Sequence, residues 1–259
     1  MKEYLIKNLN STIRYHDLEG DEKPILFIHG LGCTSSFDYP QAAAMNSLIK
    51  HRRVLIDLLG SGYSDKPEDF RYTMNDHARY LKEFIDDLDL TEIILYGHSM
   101  GGSIAISLAA QCTERINCLI ISEANLDAGG GFFSKKIASY TETDYVKEGH
   151  GEIIAESKKD SNTKWAVGLE NSYPIAINRE ARSLVEGQIP GWRELFYRLK
   201  IKKTFIFGEN SLPEPDLEEL KKHDIHIEIV KNAGHSMAWE NPEGLSKAIQ
   251  KGADNYGTA

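Results

Sequence analysis

The stretch "LYGHSMGGS", residues 95 to 103, places one hydroxyl, Ser99, among Gly97, Gly101 and Gly102, directly after an apolar run. A serine on a tight turn between a buried strand and a helix is held rigidly in strained backbone angles, and glycines two residues to either side remove the clash with bulkier neighbours. The helix start also offers free N–H groups and the positive end of the helix dipole to a developing anion. That chemistry is nucleophilic attack. A serine alcohol is weak without a base, so a histidine is required. His235, in "VKNAGHSMAWENP", follows the last apolar run, has Gly234 beside it and precedes a helix start; His223 and His226 lie in charged surroundings. Stabilising an oxyanion takes two backbone donors. One is the N–H of Met100, the residue after the serine. The other is Leu31, in "FIHGLGC", where His29-Gly30 end a further apolar run.

The elements that must hold these groups are legible as periodicities. The stretches 3–9 and 12–16 alternate and read as an antiparallel hairpin about Asn10-Ser11. Residues 24–30, 52–58, 92–99, 116–123, 203–209 and 225–230 are short apolar runs, the pattern of strands covered on both faces. Between them, Met74, Ala78, Leu81, Ile85 and Leu88 recur at helical spacing, with Thr73 and Asp76 placed as a capping box. Residues 103–111 read as a helix, and another starts at Asn241-Pro242 and runs to about Lys251. Strand and helix alternation predicts an α/β fold with a mostly parallel central sheet flanked by helices. Residues 124–200 break the rhythm with about three short helical patterns and no buried strand. The expected organisation is a core at 1–123 and 201–259 with an inserted, mainly helical cap at 124–200. The tail "KGADNYGTA" reads as frayed.

Composition narrows the function. The 259 residues carry a formal charge of −9 with no basic block, which argues against a nucleic-acid or anionic-membrane partner. Cys33, Cys112 and Cys118 are too few for a disulfide framework and fit a cytoplasmic setting. No apolar run reaches membrane-spanning length and no leader pattern opens the chain. No cofactor or metal site is expected, and the sequence leaves monomer or homo-oligomer open.

"HGLG", "DLLGSGYSD", "GHSMGG" and "NAGHSMAWENP" occur in the order and spacing of the α/β-hydrolase superfamily, which the chain resembles over about residues 20–122 and 200–250. The resemblance implies a Ser–His–acid triad, and here the sequence departs from the usual pattern. Most relatives carry the aspartate three residues after the glycine ending the strand before the last; in "IFGENSL" that position is Ser211. Some branches carry the acid one strand after the nucleophile, which offers Glu123. A carboxylate straight after four apolar strand residues is costly to bury without a partner, so Glu123 is favoured over Asp216 and Glu209, with Asp127 further off. The resemblance implies a serine esterase, carboxylesterase-like, acting on a small to medium uncharged ester through an acyl-serine. The same scaffold hosts C–C bond hydrolases, acyltransferases, cofactor-free haloperoxidases and non-catalytic ligand binders. Dehalogenation needs a carboxylate at the elbow, which Ser99 excludes. The aromatics of the cap (Phe132, Phe133, Tyr140, Tyr145, Trp165, Tyr173, Trp192, Phe196 and Tyr197) are expected mostly to pack, with a few lining an acyl site. Gly129–Gly131 reads equally as a hinge or as a loose connection.

Overall fold

The computed structural model describes residues 1–254. One eight-stranded sheet runs through it: β1 (Lys2–Ile6), β2 (Ser11–Leu18), β3 (Glu22–Ile28), β4 (His51–Asp57), β5 (Ile93–His98), β6 (Ile116–Ser122), β7 (Lys202–Gly208) and β8 (His226–Val230), in the spatial order β1-β2-β4-β3-β5-β6-β7-β8. The expected hairpin is present, with Asn10 in the left-handed region (φ 46°) and Tyr4 facing Ile13. β2 pairs antiparallel with β4, and every later pairing is parallel.

The apolar runs become strands because helices cover both faces of the sheet. Ile25, Phe27, Ile94, Tyr96, Cys118 and Ile120 pack into one layer; Leu26, Ile28, Leu95, Leu119 and Ile121 pack into the other. Helix Met74–Asp87 buries Ala78, Leu81 and Ile85, the residues that set its period. Thr73 Oγ1 accepts the N–H of Asp76 at 3.1 Å and donates to the Asp76 carboxylate at 2.6 Å, a cap whose side-chain half turns onto the hydroxyl. Asn241 Oδ1 accepts Gly244 N–H at 2.8 Å and caps helix Pro242–Asp254. This helix corrects the reading of a frayed tail: residues 251–254 are its last turn, with Gly252 buried, while the rest of that tail lies outside the described residues.

β3 is the switch point, with β4 on one side and β5 on the other, and the crevice at such a point opens beyond the carboxyl ends of the strands. The loops after β3, β5, β6 and β8 converge there. Between β6 and β7 the structure has helices and no strand: Phe132–Ala138, Glu142–Asp144, a π-turn at Tyr145–Gly149, His150–Lys159, Thr163–Glu170, Pro174–Glu186 and Trp192–Arg198. The expectation of about three helical patterns is therefore too low. The run from Glu142 to Lys159 joins its segments without leaving helical backbone, and Gly149, at the joint before His150, does not interrupt it. A fully buried pair ties this region to the core: His77 Nε2 lies 3.1 Å from Glu180 Oε1. Among the described residues no helix is long and apolar enough to cross a membrane.

Candidate active site

β5 ends at His98, paired in register with Ser122 of β6, and the chain turns at once into helix Met100–Gln111. Ser99 sits on that turn with φ 51° and ψ −121°, a conformation costly for any residue with a side chain. Two contacts make the turn possible. A Cβ on Gly97 would overlap the Gly101 carbonyl, and one on Gly101 would overlap that of Ile28, so only glycine lets the helix start lie this close to the sheet. The Ser99 N–H donates to Ser122 O at 2.8 Å and locks the turn.

One strand over, Glu123 follows β6, also with positive φ (46°). Its N–H donates to Ile206 O at 3.2 Å, and its Oε1 accepts Gly208 N–H at 2.8 Å. Its Oε2 lies 3.8 Å from His235 Nδ1, an ion-pair distance and longer than a formed hydrogen bond. Burial pushes the Glu123 carboxyl up, but His235, the Gly208 N–H and the Ser211 hydroxyl outweigh it and hold it below the usual carboxylate range. Ser211 is the smallest of these contributions.

The other acid candidates lie elsewhere. Asp216 and Asp127 both bind Arg193, at 2.8 and 2.5 Å, and Glu209 Oε2 accepts Asn232 N–H at 2.9 Å. Of these four carboxylates only Glu123 borders the cavity that also exposes Ser99 and His235.

That cavity has a volume of about 450 Å³. Of the nine cap aromatics, Phe132, Phe133 and Trp165 line it. Trp192, Phe196 and Tyr145 are instead buried in packing, and Tyr140, Tyr173 and Tyr197 pack against the core. The sequence reading missed the core-side wall, made by Tyr39, Tyr96, Trp239, His98 and Asp38. Asp38 accepts Trp239 Nε1–H at 2.7 Å and Thr34 N–H at 3.0 Å, and burial raises its carboxyl above the usual range. His98 is also enclosed. Its ring lies 4.8 Å from that of His235, and Ser122 Oγ, 2.8 Å from Tyr96 OH, is 2.9 Å from its Nδ1. Burial first, and then the nearby His235, hold His98 well below the usual imidazole range, so it stays neutral.

The loop after β3 supplies the remaining edge. Leu58 N–H donates to His29 Nε2 at 3.0 Å, which leaves the proton on Nδ1, and that N–H donates to Gly30 O at 2.9 Å. Cys33 N–H reaches the same oxygen at 3.2 Å. Gly30 C=O and Leu31 N–H belong to one trans peptide and point in opposite directions, so anchoring the carbonyl aims the N–H away from His29. Leu31 borders the cavity. Met100 is fully buried and absent from the lining; its N–H is the first of its helix and has no partner within it. Chemically, the arrangement can combine a strained hydroxyl, an imidazole, an ionised carboxylate and two backbone donors.

Sheet order, strand-turn-helix elbow and helical excursion together define the α/β-hydrolase fold. The family profile for the alpha/beta hydrolase fold matches residues 23–147. Carboxylesterase YbfK of Bacillus subtilis (strain 168) is 24% identical over 249 residues, covering 88% of this chain and 79% of its own length. Haloalkane dehalogenase 2 of Mycobacterium tuberculosis (strain ATCC 25618 / H37Rv) is 36% identical over 110 residues, 42% of this chain and 37% of that protein. Among solved structures, an esterase from Exiguobacterium antarcticum superimposes with a TM-score of 0.81 at 16% identity, covering 97% of this chain and 98% of its own. The chain thus has the α/β-hydrolase fold and is similar to members of that superfamily.

Proposed function

We propose that the protein is a serine hydrolase cleaving small to medium uncharged esters through an acyl-serine, with residues 124–200 acting as a cap over the site. The observation that carries this reading is the junction of Ser99, His235 and Glu123 on one cavity, with Glu123 at ion-pair distance from His235 Nδ1. Glu123 fixes the proton on Nδ1, leaving Nε2 to take the Ser99 proton as Oγ attacks the ester carbonyl. The Leu31 and Met100 N–H groups receive the oxyanion, each worth about 3 kcal/mol in the transition state. The imidazolium, balanced by Glu123, protonates the leaving alcohol, and a water then repeats the sequence on the acyl-serine. The likeness to YbfK and to the Exiguobacterium enzyme supports ester chemistry. The partial match to a dehalogenase does not carry its chemistry over, because Ser99 cannot form the alkyl ester that a carboxylate nucleophile makes.

The cavity volume and its aromatic walls fit short acyl chains better than long ones. A series of p-nitrophenyl esters from acetate to palmitate tests this. The expected kcat/KM peaks at or below octanoate and falls at least about tenfold at palmitate. No hydrolysis above buffer for any member would contradict the proposal.

A further inference from the structure

The helix Thr163–Glu170 rests on the loop that carries Leu31, and the contact is specific. Trp165 Nε1–H donates to the Leu31 carbonyl at 2.8 Å. Residues 30–33 form a turn closed by Cys33 N–H on Gly30 O, with Gly32 at its third position and φ +67°, as a type II turn requires. A Cβ on Gly32 would stand 2.7 Å from Leu169 Cδ2 and 2.9 Å from Trp165 Nε1. A Cβ on Gly168 would overlap the Gly32 carbonyl. The helix and the turn therefore meet glycine against glycine, with the indole bonded to the one central carbonyl of the turn. Trp165 is itself steadied by Phe133, ring centroids 4.2 Å apart.

The two peptides flanking Leu31 thus have separate anchors. His29, from the core, holds the Gly30–Leu31 peptide whose N–H is the proposed oxyanion donor. Trp165, from the helical region, holds the Leu31–Gly32 peptide. The central peptide of a turn of this kind flips between type I and type II geometry by rotating that carbonyl. An indole donor on the carbonyl selects one state and so fixes ψ at Leu31, which keeps the turn that presents the Leu31 N–H from rearranging about that residue. We propose that Trp165 is a positioning residue: by bonding Leu31 O it sets the oxyanion loop, so that the loop is in place only when this helix is seated. The inference rests on the serine-hydrolase reading of the site and deepens it, since it ties catalytic competence to the seating of the cap.

Trp165 also borders the cavity, so the test must separate positioning from mere lining. Trp165→Phe keeps an aromatic ring against Phe133 and removes the donor. With p-nitrophenyl acetate, kcat is expected to fall about tenfold, less than the loss of a whole oxyanion donor, with KM within about twofold and the same fold-loss for butyrate. Affinity for a boronic acid, which presents the tetrahedral anion, should fall by the same factor. Gly168→Ala, outside the cavity, should reproduce the kcat loss by lifting the helix from Gly32, with melting curves of both variants recorded to confirm that they fold. Wild-type kcat and boronate affinity in a folded Trp165→Phe protein would overturn the inference, as would a loss confined to KM or growing with acyl length. A wild-type enzyme inert towards every ester and towards a fluorophosphonate would instead remove the hydrolase reading beneath it, and this inference with it.

Discussion

Ser99 and Glu123 stand at the ends of neighbouring strands, β5 and β6, each in a positive-φ conformation that the sheet enforces. Phe132 and Trp165, across the cavity, come from two helices of the inserted region, the first of them entered through Gly129 and Gly130, whose φ values are 107° and 61°. On the sheet side the backbone fixes each group, and a side chain added at Gly97 or Gly101 meets main-chain oxygen. On the helical side a Cβ at Gly129 or Gly131 meets nothing within 4 Å, and Phe132 is 74% exposed. Chemistry that needs placement to a fraction of an ångström belongs on the first side; shape that must admit and release a substrate belongs on the second. The hydrogen bond from Trp165 to Leu31 is where the two sides meet.

The largest effect that would break this contrast is on the sheet side. Glu123→Gln removes the charge beside His235 while keeping the shape, and kcat for p-nitrophenyl butyrate should fall about 10²- to 10⁴-fold with KM little changed. A loss under threefold would show that the imidazole needs no carboxylate from β6. Next is Gly97→Ala. Because the added methyl meets the Gly101 carbonyl in a position that cannot yield, unfolding stability should drop by about 3 kcal/mol, read by denaturant melts. By contrast, Gly131→Ala, with φ −91° and nothing within 4 Å of the added methyl, should change stability by less than about 1 kcal/mol; equal losses at the two glycines would erase the contrast.

Phe132→Ala should raise KM by a few-fold and leave kcat within about twofold, since the ring lines the cavity from the helical side and packs against Phe133. The smallest effect concerns acid. Glu123 titrates lower in the folded protein than its ordinary value, so its ionisation stabilises the fold above the unfolded carboxylate pKa of about 4.3. That contribution is lost as pH falls through the lowered folded value. The melting-temperature gap between wild type and Glu123→Gln should therefore narrow from pH 7 towards pH 3. A gap that widens would mean that burial, and not the partners of Glu123, dominates its titration.

The strands were readable from residue order, and Ser99 and His235 stood out as candidates because a continuous apolar run ending in a glycine-flanked hydroxyl has few other uses; Glu123 came from the resemblance, and the structure brings the three candidates to one cavity. The core-side wall was not. Tyr39, Tyr96 and Trp239 look like ordinary core in a linear reading, and only the tertiary packing turns one edge of each towards the cavity. His98 was visible as the residue before the nucleophile, yet its enclosure by Tyr96 and Ser122 depends on the register between β5 and β6. Ser211 looked like a defect in the triad. Its hydroxyl is the smallest of the contributions that lower the Glu123 carboxyl, a proximity that spacing along the chain cannot express because the two residues follow different strands. The helical region was undercounted because its helices are short and several follow one another directly, as from Glu142 to Lys159, and Trp165 passed as one aromatic among nine because its donor has a single target 134 residues away.

The central claim is that Ser99 is an activated nucleophile. Intact-mass measurement and peptide mapping after incubation with a fluorophosphonate test it directly. The account predicts one adduct, on the peptide containing Ser99, absent from Ser99→Ala and formed far more slowly in Glu123→Gln. No adduct on folded wild-type protein, or an adduct that persists in Ser99→Ala, would contradict it.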